Sequence, residues 1–247
     1  MCDGIDNDGN GIVDDVDLGG DGVCDCLKIA TLGFPGVWGL GDVAADWLPS
    51  RTPLTPTALG AQPLTAALLA PFKVIIVEDV RVGTLGTSGK GHGIGRTFSG
   101  TEVDALTRWV QAGGGLVTLT GYADSTEVVN VNSLLSPLAL TYGSASILAS
   151  AAVTHWAAHP ISAGITSIQF ANGYDVQSGG TVLAWEPTPG AHDVGRAALN
   201  GQGRVFAWGD EWIAYSQQWP ADSQAPRLWL NLLQWLAGAG YCQVPPP

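Results

Sequence analysis

At 247 residues with 46% apolar content, the chain is long enough to bury one principal core, and its formal net charge of −12 offers no basic patch for nucleic acid. It holds no apolar run of about 18 residues or more, which excludes a helical membrane span. The acidity is local: residues 1–26 hold eight of the 22 acidic side chains and none of the 10 basic ones.

Such a density of like charge repels itself unless cations neutralise it. Within it runs Asp6-Asn7-Asp8-Gly9-Asn10-Gly11-Ile12-Val13-Asp14-Asp15-Val16-Asp17, which fits a twelve-position calcium loop. Asp6, Asp8 and Asn10 supply side-chain oxygens at positions 1, 3 and 5, the Ile12 carbonyl stands at 7, Asp14 at 9 and Asp17 at 12. Calcium takes six to eight hard oxygen ligands, so alternate residues on a tightly turning backbone converge on one ion, and Gly11 permits the turn. Asp17 replaces the usual Glu with a shorter arm, which is expected to reduce affinity. No amphipathic helix flanks the loop, so an EF-hand pair that opens and closes is excluded. The stretch from Cys2 to Asp14 resembles the Cys-Asp-Gly-x-Asp-Asn-Asp metal-binding repeats of secreted myxobacterial proteins (the MopE type), and more loosely thrombospondin type 3 repeats. Gly9 stands where that repeat carries a second cysteine. The resemblance implies Ca2+ as the cofactor.

The four cysteines, Cys2, Cys24, Cys26 and Cys242, all lie near the two ends. An even number so placed in an exported chain favours two disulfides, for which the sequence allows three pairings. The expected one is Cys2 with Cys24, closing the acidic loop, and Cys26 with Cys242. A zinc knuckle is disfavoured because C-x-C is too short a spacing and no His lies nearby. Met1-Cys2-Asp3-Gly4 lacks the regions of a signal peptide, and with the terminal Pro245-Pro246-Pro247 it leads us to expect a piece processed from a longer exported precursor. The expected location is secreted, extracellular or at the cell surface.

After residue 26 strand and helix signals alternate. Lys28–Phe34, Lys73–Asp79 and Gly115–Thr120 read as strands, and their continuous apolar runs imply burial on both faces of a mostly parallel sheet. Residues 49–72, with five prolines, read as a crossover holding a poorly defined strand and a helix. Ser99-Gly100-Thr101-Glu102 supplies a capping box for a helix with Val103, Leu106, Trp109 and Val110 on one face, stopped by Gly113-Gly114. Residues 181–185, 193–199 and 203–209 read as a meander, and a last helix starts near Pro226 with Leu228, Leu232, Trp235 and Leu236 inward. The expected fold class is α/β, flavodoxin-like and doubly wound, with a mostly parallel sheet and antiparallel additions, preceded by the calcium-binding loop. It divides into an Asp-rich segment (1–26), the α/β domain (27–242) and a Pro-rich tail (243–247).

The series Val74–Asp79, Glu102–Gly115, Leu116–Tyr122, His159-Pro160-Ile161 and Gly203–Asp210, with a helix containing Asn231, resembles the class I glutamine amidotransferase-like superfamily, in particular its ThuA-like members. Catalytic members of that family carry a Cys in a Gly-x-Cys-x-Gly elbow. Here the corresponding turn is Thr118-Leu119-Thr120-Gly121-Tyr122, without thiol or serine, so amidotransferase chemistry is not expected. His159 opens an element and reads as a structural cap rather than a base.

Open α/β folds bind ligands at the C-terminal edge of the sheet. There Glu78 and Asp79, Tyr122 and Asp124, and Asp210, Glu211 and Trp212 follow the strands and form a possible ligand edge. Loop solubility and helix capping are the plainer account of them. The glycine-rich stretch Val82–Gly100, with Lys90, His92 and Arg96, lacks the order of a phosphate loop and reads as a long mobile loop. Trp109, Trp229 and Trp235 read as packing residues, and Trp38, Trp212 and Trp219 as candidates for an exposed surface. The expectation is a calcium-stabilised, non-catalytic extracellular domain with a structural, adhesive or self-assembly role, its partners calcium and either itself, as a homo-oligomer or filament, or surface glycans. The alternative is a carbohydrate-directed hydrolase or lectin using the edge carboxylates and tryptophans.

Overall fold

The computed structural model describes residues 1–35, 43–86, 92–120, 125–146, 151–186, 192–221, 224–245 and 247. Eight strands form the main sheet: β1 (Ile29–Leu32), β2 (Thr57–Gly60), β3 (Val74–Val77), β4 (Gly115–Leu119), β5 (His155–Trp156), β6 (Thr181–Glu186), β7 (His192–Asn200) and β8 (Gly203–Trp208). Their spatial order is β2-β1-β3-β4-β8-β7-β6-β5. The first five run parallel, and beyond them β7 pairs antiparallel with β8, β6 with β7 and β5 with β6. This is the doubly wound α/β arrangement with antiparallel additions, and its parallel strands follow the flavodoxin-like order.

Alternation along each strand explains the two layers. Val74 and Ile76 of β3 join one core with Val117, Phe206 and Trp208, whereas Ile75 and Val77 join the other with Leu116, Val205 and Ala207. The first core is covered by α4 (Ala225–Ala237), whose Leu228, Trp229, Leu232 and Leu236 are buried. The second is covered by α2 (Gly100–Gln111) and α3 (Ser125–Leu135), with Leu106, Val110, Val131 and Leu134 buried. The capping box at Ser99 is formed as the sequence implies, and α2 buries Leu106 and Val110 while Val103 and Trp109 stay half-buried. The crossover of residues 49–72 holds β2 and one turn of helix, α1 (Ala66–Leu69), N-capped by Thr65. Two ribbons, pairing Leu140–Ser146 with Tyr174–Ser178 and Ala151–Val153 with Ile168–Phe170, were not anticipated, and neither was α3.

The acidic segment is fastened to the body. The disulfides are Cys2–Cys26 and Cys24–Cys242, which corrects the expected pairing. Side chains two residues apart in extended chain project to the same side, so spacing alone cannot decide which cysteine meets the C-terminus. A turn closed by the Leu27 N–H on the Cys24 carbonyl (3.2 Å) leaves Cys24 in the α4 core beside Cys242 and Val23. The tail packs as well: Val244 is buried, and Gln243 donates to the carbonyls of Gln234 and Tyr241, each at 3.2 Å.

Candidate functional site

In the acidic loop, backbone amides organise the carboxylates. Asp6 accepts from the N–H groups of Gly9 (2.8 Å), Asn10 (3.2 Å) and Gly11 (2.7 Å), curling positions 1 to 6 with Gly9 and Gly11 at positive φ. The Gly11 N–H, ahead of the others, holds the Asp6 carboxyl below its ordinary value. Asp8 accepts from Asn10 N–H (3.1 Å), and the Asn10 amide group donates to Asp8 (3.1 Å) and Asp15 (2.8 Å). Its oxygen accepts from Ile12 N–H at 2.8 Å. The last two expected ligands point elsewhere. Asp14, at φ 55°, accepts from Asp3 N–H (3.0 Å) and Gly4 N–H (3.1 Å), and Asp17 from Asp21 N–H (3.3 Å) and Gly22 N–H (3.0 Å). Among the described residues no three His, Cys, Asp or Glu side chains are gathered as a metal-holding group. A cavity of about 190 Å³ adjoins the loop, with Asp8, Asp14 and Asp15 among its lining. Asp15 is a residue the twelve-position pattern does not single out.

At the C-terminal edge of the sheet, the switch point lies between β1 and β3, where the chain reverses its order of winding. That crevice is bridged by backbone: Phe34 N–H donates to the Asp79 carbonyl and Asp79 N–H to the Phe34 carbonyl, both at 3.0 Å. Gly33, at φ 93°, allows this approach, since a Cβ there would collide with the Asp79 carbonyl. The Asp79 carboxylate is held by the Arg81 guanidinium in a two-pronged pair (2.9 and 2.7 Å), both side chains buried. Burial works against the Arg81 charge, but Asp79 foremost, with Glu127 and Glu211, raises its pKa above the ordinary arginine value. Sequence patterns give no sign of Arg81 beyond its place two residues after Asp79.

Asp210 is buried, accepting from Ala171 N–H (2.9 Å) and Trp212 N–H (3.0 Å), and burial pushes its carboxyl well above the ordinary aspartate range. Its bond from Trp212 ties it to the first residue of the turn Trp212–Ala214. Glu78 and Glu211 are buried too, beside a cleft of about 10 Å³ open to a water-sized occupant, shared with Leu119 and Tyr215. That is room for about one water. Tyr122 and Asp124 lie outside the described residues, as do Trp38 and Lys90. Trp212 is half-buried, whereas Trp219 is buried edge-on against Trp47 at 5.3 Å and donates to the Ile213 carbonyl, so it belongs to the core and not to a surface. His159 caps the turn Pro160–Ser162, its Nδ1 accepting from Ile161 N–H at 3.2 Å.

No protein-family model matches the sequence, and no curated protein matches it. Solved structures do match in fold. The mmIFT52 N-terminal domain aligns with a TM-score of 0.58 at 14% identity, covering 86% of this chain and 98% of that one. A cytoplasmic protein, STM1381 from Salmonella typhimurium LT2, aligns at 0.58 and 17% identity over 85% of this chain and 99% of its own. A ThuA-like protein from Bacteroides uniformis ATCC 8492 aligns at 0.53 and 13% identity, covering 85% and 91%. At these identities the likeness is one of fold, and at that level it agrees with the ThuA-like resemblance read from the sequence.

Proposed function

We propose that this chain is an exported, disulfide-fastened α/β domain with a structural, adhesive or self-assembly role, ordered by calcium at its N-terminal loop. The observation that carries the reading is the fastening. The loop is tied to the body by Cys2–Cys26, by Cys24–Cys242 and by a backbone bridge between Val13 and Tyr241, so ordering the loop stabilises the body. Asp6, Asp8, Asn10 and the Ile12 carbonyl would hold the ion, and Asp14 and Asp17 would first exchange their backbone amides for it. Calcium would supply charge neutralisation to a segment that has no basic residue of its own. The carbohydrate-directed alternative is supported less well, because Asp79 is committed to Arg81 and Asp210 to two backbone amides.

The test is isothermal titration of the oxidised protein with calcium, with thermal melts before and after chelation, on wild type and on Asp6→Ala/Asp8→Ala. Saturable binding in the wild type, absent in the variant, is expected, with about 2.7 kcal/mol of added stability at a hundredfold excess over Kd. Absence of heat and of any shift in melting temperature in the wild type would overturn the reading.

A further inference from the structure

A second opening lies away from the sheet's C-terminal edge, between α1 and α2 at the N-terminal ends of β3 and β4. It measures about 580 Å³, within the range of small-molecule sites. Its walls carry Ala66 and Ala70 on one side and Ala105 and Ala112 on the other, side chains too small to fill the gap between the helices. Phe72 and Trp109 add half-buried aromatic surface. Trp109 is fixed in place: its Nε1 donates to the Phe72 carbonyl at 3.2 Å, and its ring lies so close over Gly114 that a Cβ there would collide with it.

Into this apolar groove the chain sets one half-buried ammonium. Lys73 lines it; its ammonium donates to the Gly113 carbonyl at 2.8 Å and lies over the Tyr241 ring, 5.3 Å from the centroid, which leaves N–H donors for a further partner. Among the described residues no carboxylate lies within ion-pair distance of Lys73. Burial, and then the positive charge of Arg204, lower its pKa. The acid at the rim, Asp104, faces Arg108 at 3.8 Å on the exposed side of α2.

We propose that the groove between α1 and α2 binds a small, flat, apolar carboxylate, with its ring against Trp109 and Phe72 and its carboxylate on Lys73. The apolar walls account for the body of the ligand, and the ammonium, which has no carboxylate within ion-pair distance among the described residues, for its charge.

The probe is 2-naphthoate, compared with its neutral isostere 2-naphthamide, in calorimetric titrations of the oxidised full chain. Saturable binding of the acid is expected, about tenfold or more tighter than the amide, as a charge-assisted hydrogen bond provides. Lys73→Met should abolish that preference. Thr101→Trp, at an exposed lining position, should weaken both compounds by blocking the groove, with an unchanged melting temperature showing that the fold is kept. No binding of 2-naphthoate up to its solubility limit, equal binding of acid and amide, or a preference that survives in Lys73→Met would each overturn the proposal.

Discussion

Val13 and Tyr241 face one another in a parallel bridge: the Val13 N–H donates to the Gly240 carbonyl at 3.2 Å, and the Val13 carbonyl accepts from the Cys242 N–H at 3.0 Å. Val13 sits between two candidate ligands, Ile12 and Asp14, so whatever fixes its backbone fixes theirs. The Cys24–Cys242 disulfide holds the strap on which that bridge depends. It closes a span of 218 residues, against 24 for Cys2–Cys26. Replacing Cys24 and Cys242 by serine is therefore expected to cost about 2 kcal/mol more stability than replacing Cys2 and Cys26, measured by urea unfolding. In the same variant calcium affinity should fall, since the bridge loses its covalent support.

Arg81 holds the buried Asp79 carboxylate at the switch point, and Glu127 and Glu211 also favour the guanidinium's charge. Removing it in Arg81→Met leaves the buried Asp79 carboxylate without its ion-pair partner. A loss of about 3–5 kcal/mol is expected, readable as a lower denaturant midpoint at neutral pH. Adding Asp79→Asn to that variant should recover part of it, which an effect of lost packing alone would not do.

Glu102 gives a pH signature. Burial raises its carboxyl, but the N–H of Ser99, the Arg96 guanidinium, the Ser99 hydroxyl and the Leu64 N–H outweigh burial and hold it at about 2, against an ordinary 4.5. A carboxylate depressed in the folded state contributes stability that is fully present above 4.5 and is lost as pH falls toward about 2. Glu102→Gln should cost about 2–3 kcal/mol at neutral pH, and the gap between variant and wild type should close across that acidic window. Urea unfolding at a series of pH values checks both the size and the sign.

The sheet was legible wherever a strand is apolar throughout. Val74–Val77 and Gly115–Leu119 are buried along their whole length, and runs of this kind carry the signal of a two-sided sheet. α2 was legible because Ser99 and Glu102 form both halves of the capping box. α3 was not: Val128, Val129 and Val131, with Asn130 and Asn132, are poor helix formers, and tertiary contacts decide the element. Asn130, for example, donates to the carbonyls of Val80 (2.7 Å) and Arg96 (3.0 Å), partners far away in sequence. Glu78, Asp79, Asp210 and Glu211 follow strands that the sequence marks, but their burial is not written there. Asp79 and Asp210 are acids on the sequence and internal braces in the fold, because the bonds that hold them come from Arg81, Ala171 and Trp212. The Lys73 groove is likewise invisible in sequence, since it arises from small side chains on two helices meeting across a gap.

The two disulfides also determine how the chain carries tension. A pull applied before Cys2 and after Cys242 crosses from Cys2 to Cys26, runs back through Asp25 to Cys24, and crosses again to Cys242. Residues 3–23 and 27–241 hang beside that line and bear no load. Stretched between its ends, the oxidised domain extends by only a few residues' length, at about 3.5 Å each, while every strand and helix stays slack. Reduction would put the whole body into the path of the force, turning a short inextensible link into a long spring that yields only by unfolding.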